Sequence, residues 1–286
     1  MVKIIADSTC DLSRDIIEKY DITIIPLSII MGDKSYYDGL DITPEEIYKW
    51  ADENRTTPKT AAVSADMVRD ILGKFKEREV IFFGISSKMS STCDVVRSAA
   101  AEEGFDNVKV VDSRNLSTGI GLQVVRACEL ARAGCTQSEI IEAVSGERDK
   151  VSASFVVDTL TYLARGGRCG QATALIGNML GLKPEIVVKD GEMHVGKKYR
   201  GTLSKVILKY VKDMEQDLVN ADPRLIFITH SGCKPEIVSK VREYLVGLGH
   251  FTNIAETRAG GVISSHCGPG TLGVLYYREE KNEQTC

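Results

Sequence analysis

Along the first half of the chain, short continuous apolar runs alternate with stretches that carry apolar residues at helical spacing. The clearest run is Val80-Ile81-Phe82-Phe83-Gly84-Ile85. With no polar residue in it, it reads as a strand buried on both faces, the pattern of a parallel sheet. Lys3–Ala6, Thr23–Ile30 and Val108–Val111 are predicted as strands too. Helices are predicted over Ser13–Lys19, Pro44–Ala51, Ser64–Phe75, Ser91–Glu102, Leu116–Arg132 and Glu139–Val144. Several of their ends are marked. Thr43 with Glu46 three residues on is a capping box, in which each side chain takes a backbone N–H of the other's residue. Gly134 closes the long helix, because glycine accepts the left-handed turn there, and Thr136 opens the next. Strands alternating with helices imply βαβ units and a mostly parallel sheet.

The pattern changes past Val151. Ser152–Val157 is predicted as a strand, Gly166-Gly167 as a break and Ala172–Leu180 as a helix. Pro184–Val188 and Met193–Tyr199 are strands joined by Lys189-Asp190-Gly191-Glu192, and Asp-Gly is a strong hairpin signal because both residues tolerate φ > 0. Leu203–Leu218 and Glu236–Leu245 read as helices. Leu225–His230, Ile254–Thr257, Gly261–Ser264 and Leu272–Tyr276 read as strands. The expected fold is therefore α/β with two domains. Residues 1–157 form a Rossmann-like parallel-sheet domain and residues 158–286 an α+β domain with a mixed sheet.

Composition narrows the class. At 286 residues, with 43% hydrophobic and 27% charged positions, the chain has the make-up of a soluble globular protein. A net charge of −4 and the lack of a basic stripe argue against nucleic acid as a partner. The apolar stretch Val2–Ala6 is too short for a signal peptide, and no run approaches the ~20 residues of a membrane span. The eight cysteines, Cys10, Cys93, Cys128, Cys135, Cys169, Cys233, Cys267 and Cys286, form no Cys-x-x-Cys pair, so no metal site is expected. Scattered thiols in a chain of this size point to a reducing cytoplasm.

Candidate chemistry gathers in hydroxyl-rich loops after the strands. These are Asp7-Ser8-Thr9, Thr56-Thr57-Pro58-Lys59-Thr60, Ser86 through Thr92, and Asp112-Ser113 with Ser117-Thr118. In parallel sheets ligands bind outside the carboxyl ends of strands, and free N–H groups at a helix start suit an anion. The same residues also serve as plain helix caps. The Ser86–Thr92 loop has no Gly-Lys-Ser/Thr ending, so it is no nucleoside-triphosphate loop, and no Gly-x-Ser-x-Gly elbow, so it is no ordinary hydrolase nucleophile. What remains suits a small oxyanion such as a carboxylate. His266 sits beside Gly268-Pro269-Gly270, a tight turn that lets backbone or ligand approach. His194, His230 and His250 lack such a setting and read as structural. Arg165-Gly166-Gly167-Arg168 and Arg200-Gly201 place arginines beside flexible breaks. Gly119-Ile120-Gly121 lacks the third glycine of a dinucleotide fingerprint and falls inside a helix.

Taken together, these stretches resemble the DegV family over essentially the whole chain. The pieces that carry the likeness are Asp7-Ser8-Thr9-Cys10-Asp11-Leu12, Ile25-Pro26-Leu27, Tyr37-Asp38-Gly39-Leu40-Asp41-Ile42 and Pro58-Lys59-Thr60. Further on come Ile85 through Thr92, Tyr162 through Arg168, Lys198-Tyr199-Arg200-Gly201 and His266-Cys267-Gly268-Pro269-Gly270. The resemblance implies a carrier that holds one long-chain fatty acid between two α/β domains. It also implies a separate fatty acid kinase catalytic subunit that phosphorylates the bound carboxylate to an acyl phosphate. Thr60 matches the family's threonine on the carboxylate, and Ser90 the serine that does the same, with the N–H of the following residue, here Ser91, helping. His266 matches the histidine near the carboxylate, and Arg200 an arginine tied to work with the kinase. No metal, no cofactor, no catalytic residue and no stable membrane insertion follow from this likeness. The chain departs from the family pattern at Ala61-Ala62-Val63, where Ser-Gln-Pro is usual. It departs again at Ser91 for Gly, at Cys93 for Tyr, and at Cys169-Gly170 for Ile-Ser.

A rival reading is an acyl hydrolase or transferase with Ser90 as nucleophile, His266 as base and an acidic orienter such as Asp7; serine and histidine would then have to lie within reach. A third is a sugar-phosphate or dihydroxyacetone-binding domain.

Overall fold

The computed structural model describes residues 1–175 and 181–279. Among them run the strands β1 (Lys3–Asp7), β2 (Thr23–Ile25), β3 (Ser28–Met31), β4 (Lys34–Tyr37), β5 (Lys59–Ala61), β6 (Val80–Gly84) and β7 (Val108–Asp112). They are followed by β8 (Val151–Val156), β9 (Leu182–Lys189), β10 (Glu192–Arg200), β11 (Ala221–Ser231), β12 (Ile254–Arg258) and β13 (Thr271–Arg278).

The N-terminal sheet is parallel, in the order β2-β1-β6-β7. Its two central strands are buried at every position, and β6 accordingly reads as an unbroken apolar run, while β1 buries Lys3 and Asp7 at its ends. The strand order reverses at β1: β2 lies on one side, and β6 and β7 on the other. A crevice outside the strand ends at such a reversal is where open α/β sheets take ligands. The C-terminal sheet is mixed, in the order β10-β9-β8-β13-β11-β12, and only β11 and β12 pair in parallel. A small antiparallel sheet, β4-β3-β5, stands beside the first.

The helix Thr118–Arg132 lies between the two large sheets. It packs on β1 and β6 to one side and on β8, β11 and β13 to the other. Eleven of its fifteen residues are buried, so it shows little amphipathic pattern. Its glycines are needed for contact. A Cβ on Gly121 would stand 2.8 Å from Leu12 Cδ2, and one on Gly119 would overlap the Asn115 side chain. Outside this central layer, the helices Ala65–Gly73 and Thr92–Glu102 cover the free face of the first sheet, and Leu203–Asp213 and Pro235–Gly247 cover that of the second.

Four predicted elements come out differently. Thr23–Ile30 is two strands in different sheets, because Pro26 has no N–H to continue a ladder. Leu203–Leu218 is broken at Met214 into Leu203–Asp213 and Glu215–Leu218. Gly261–Ser264, expected as a strand, begins the helix Gly261–Cys267. A short apolar run is ambiguous between the two states, and here carboxylates distant in sequence take the first N–H groups and settle it. Ala172–Leu180 is helical over Gly170–Leu175, and residues 176–180 lie outside the described residues. The short strands β4 and β5 have no apolar alternation of their own and go unpredicted. The Asp190-Gly191 hairpin forms as expected, with φ of 53° and 80°.

Candidate functional site

Three elements remote in sequence meet at the carboxyl end of the first sheet. β5 carries Thr60, paired across the small sheet with Ile29. The loop after β6 carries Ser90 and Ser91, the latter at the N-cap position of the helix Thr92–Glu102 but with no capping bond from its side chain. That loop is wound tight: Met89 and Ser90 both donate their N–H groups to the Ser86 carbonyl, at 2.8 and 3.1 Å. The helix Gly261–Cys267 carries His266 in its last turn. Thr60, Ser90, Ser91 and His266 all line one cavity of about 310 Å³. Its other walls are largely apolar, with Leu27, Ile85, Met89, Leu116, Met193, Val262 and Ile263 among them. Ala61 and Ala62, two of the departures from the family pattern, also face it.

Thr60 Oγ1 and His266 Nε2 are 2.8 Å apart. The imidazole is deeply buried, and that burial, with the Arg168 charge nearby as a second cause, pushes its pKa down to about 4. It is therefore neutral at pH 7 and acts as a hydrogen-bonding group, not as a counter-charge. Its Nδ1 has no hydrogen-bond partner. The ring lies against Gly166, where a Cβ would stand 3.0 Å from Cε1 and closer still to Nδ1. Ser90 Oγ lies 3.0 Å from Thr92 Oγ1 and accepts the Thr92 N–H at 3.3 Å. With Thr92 as the donor of this pair, the Ser90 hydroxyl proton is left for a ligand in the cavity.

Arg168 is the one cationic side chain lining the cavity among the described residues. It donates to the Gly166 carbonyl at 2.8 Å and reaches the Met89 carbonyl at 3.5 Å, so it bridges the Gly166-Gly167 turn and the serine loop. The sequence marks it only as an arginine beside a flexible break; its neighbourhood with His266 is a tertiary fact. Arg200 is not in the cavity. It is exposed at the far end of the edge strand β10, seven residues from the cavity-lining Met193, or on the order of 20 Å at strand rise.

The arrangement does not assemble a serine–histidine relay. His266 Nε2 is engaged by Thr60, and Ser90 by Thr92. Asp7 is occupied elsewhere: it accepts from Thr9 N at 3.0 Å, from the Thr9 hydroxyl, and from Ile85 N at 2.7 Å, tying the ends of β1 and β6 together. Burial pushes its pKa up to about 6. Neither His230 nor His250 lines this cavity: His250 bonds the Ala221 carbonyl at 2.7 Å, and His230 lies 3.7 Å from Glu256. A second, smaller cavity of about 20 Å³ shares the walls Leu116, Ile263 and Cys267 with the first and continues toward Phe155 and Leu275.

Comparison with known proteins shows the family of the chain. The family model described as "Uncharacterised protein, DegV family" matches residues 1–279. A DegV domain-containing protein of Clostridium perfringens is 32% identical over 97% of this chain and 99% of its own. A DegV family protein from Thermus thermophilus, whose structure is described as showing fatty acid binding, superposes with a TM-score of 0.88 at 29% identity, over 97% of this chain and 99% of that one. A stearic acid-binding protein from Eubacterium ventriosum superposes with a TM-score of 0.83 at 29% identity, over 97% and 98% of the two chains. No helix among the described residues is long and apolar enough to cross a membrane.

Proposed function

The chain belongs to the DegV family, and from that premise and the geometry of its cavity we propose that it binds one long-chain fatty acid, carboxylate toward Thr60, Ser90, Ser91 and His266. The observation that carries this reading is the convergence of those four residues, up to 206 positions apart, on one apolar cavity. The fatty acids described for the relatives from Thermus thermophilus and Eubacterium ventriosum support it. In this reading residues 1–157 and 158–286 are two domains, and the acid lies between them.

The energetics favour such a ligand. Each buried CH₂ gains about 0.8 kcal/mol, so a 16-carbon tail gains on the order of 10 kcal/mol. Desolvating the carboxylate opposes this unless hydrogen bonds replace water. Thr60 donates its hydroxyl proton to the carboxylate and accepts from His266 Nε2–H, which leaves Nδ1 as the bare nitrogen. Ser90 and the Ser91 N–H supply further charge-assisted bonds. The cavity lined by Thr60 and His266 holds about ten water-sized groups at ~30 Å³ each. A long tail therefore extends past Leu116 and Ile263 toward the second cavity, with flexible Met89 and Met193 yielding.

On this reading the protein performs no chemistry and needs no metal or cofactor. It is a cytoplasmic carrier that presents the carboxylate to a separate fatty acid kinase subunit, and Arg200 serves that encounter. Denaturing extraction followed by lipid mass spectrometry tests the core of it. One long-chain acid per chain, as purified or after exposure to fatty acid, is the expected result. A chain that neither carries nor takes up lipid would overturn the reading.

A further inference from the structure

Two motifs, Asp7 through Leu12 and Tyr37 through Ile42, contribute no residue to the cavity. Both end up at the opposite end of the helix that carries His266. Asp11 Oδ1 accepts the Gly260 N–H at 2.8 Å, and Asp38 Oδ1 accepts the Gly261 N–H at 2.6 Å. The remaining carboxylate oxygens are held as well. Ser117 Oγ donates to Asp11 Oδ2 at 2.5 Å, and Ser8 Oγ donates to Asp38 Oδ2 at 2.8 Å. All four oxygens are thus engaged by donors of the chain itself, so the pair binds the helix and not a cation.

Such a contact is costly to build. Both carboxylates are buried, and a buried charge is tolerated only when it is fully hydrogen-bonded. Ser117 adopts φ 52°, ψ −144°, a sparsely populated backbone for a serine, while its hydroxyl reaches Asp11. Gly260 and Gly261 are required by the approach. A Cβ on Gly260 would stand 3.1 Å from Asp38 Oδ1, and one on Gly261 2.6 Å from Ile29 Cδ1. The helix so anchored is only seven residues long, yet Val262, Ile263, His266 and Cys267 all line the cavity. It comes from the C-terminal half, whereas its anchor and Thr60 both belong to the N-terminal half. The register of His266 against Thr60 is therefore set from the N-terminal end of the helix.

We propose that Asp38, seconded by Asp11, is a positioning residue of the acid site: by holding the first turn of the Gly261–Cys267 helix it sets His266 so that the imidazole orients the Thr60 hydroxyl toward the carboxylate. This rests on the fatty-acid reading above and adds a residue that touches no ligand.

Hexadecanoate and hexadecanol separate head group from tail, since the two share the tail and only the acid needs the oriented hydroxyl. Asp38→Ala is expected to weaken hexadecanoate by about tenfold or more, the scale of a lost hydrogen bond to a charged group, and hexadecanol by no more than about twofold. In a His266→Gln background the same substitution is expected to add nothing, because the two act in series. Asp38→Asn, which keeps an acceptor oxygen for Gly261, is expected to restore most of the affinity. Gly260→Ala crowds both carboxylates and carries the same test if Asp38→Ala does not fold. Equal weakening of acid and alcohol, or an undiminished effect in the His266→Gln background, would overturn the proposal. Imidazole ¹⁵N resonances of the ligand-free chain read the Asp38–His266 link directly, and their displacement in Asp38→Ala or Gly260→Ala is the expected result. Unmoved resonances would overturn the positioning role, whereas a wild-type chain that binds no hexadecanoate would overturn the functional reading instead.

Discussion

Thr60 and His266, 206 residues apart, share a 2.8 Å contact between a threonine hydroxyl and a neutral imidazole. The contact joins β5 of the small sheet to the helix Gly261–Cys267, so it exists only in the assembled tertiary fold. Thr60→Val removes the hydroxyl while keeping the volume. It is expected to weaken hexadecanoate by about 1.5–3 kcal/mol, the range for a hydrogen bond to a charged group. His266→Gln is expected to act on the same bond, so the double variant should lose clearly less than the sum of the singles. Calorimetric titration of all four proteins measures this, and strict additivity would separate the two residues.

Gly166 gives a sharper steric test. Its missing Cβ is what lets the His266 ring lie where it does. Gly166→Ala is expected to drive the imidazole off Thr60, at a stability cost of about 1–3 kcal/mol for overpacking. Acid affinity should fall with it. Gly167→Ala next door, where nothing lies within 4 Å but φ is +69°, should cost stability through strain and leave the acid site intact. Urea melts paired with hexadecanoate titrations distinguish the two. Identical effects on affinity would argue against the steric role.

The hydroxyl loops, the histidine and the parallel sheet were legible because each leaves a local mark. Val80–Ile85 is an apolar run, Ser86–Thr92 a polar cluster at a strand end, and His266 the neighbour of a Gly-Pro-Gly turn. Arg168 and Asp38 were legible only as members of motifs. Nothing local says that Arg168 will face His266, or that Asp38 will cap a helix 223 residues away. The Gly261–Cys267 helix was misread for the same reason: its start is fixed by Asp11 and Asp38, not by a Ser, Thr, Asp or Asn of its own. β4 and β5 were missed because their pairing with β3, not their side-chain pattern, makes them strands.

Acid titration should expose two buried groups that pull in opposite directions. His266 is held down to about 4 from an ordinary 6.5. As pH falls below 6.5 the unfolded chain takes up that proton first, so stability is lost between about 6.5 and 4, by roughly 3 kcal/mol. Asp7 is raised from 3.8 to about 6. The folded chain takes up that proton first, so stability is gained as pH falls through 6 toward 4, again by roughly 3 kcal/mol. The stability advantage of wild type over His266→Gln should therefore shrink on going from pH 7 to pH 4, while its difference from Asp7→Asn should move the other way. Urea unfolding at pH 7, 5.5 and 4 reads both. Parallel pH profiles for the three proteins would mean that neither group titrates as its burial demands.

Arg200 separates carrying from presenting. It is exposed at the end of β10, away from the cavity walls, so Arg200→Ala should leave hexadecanoate affinity and thermal stability nearly unchanged. A guanidinium at the sheet's edge offers a planar fork that fits phosphate oxygens or a partner's carboxylates. If it serves the kinase encounter, acyl phosphate formation with a cognate kinase subunit should fall about tenfold or more, as expected for a charge-assisted contact at an interface. Arg200→Lys should recover only part of it, because an ammonium cannot make the bidentate contact. Raising the ionic strength should slow the wild-type reaction toward the variant's rate, since an exposed charge contact is screened within about 10 Å at 0.1 M salt. A variant that binds acid normally and is phosphorylated normally would leave Arg200 as a solvated charge and move the search for the kinase contact to Arg168 at the cavity rim. Loss of acid binding in the same variant would mean that Arg200 supports the β9–β10 hairpin, and through it Met193, instead of meeting a partner.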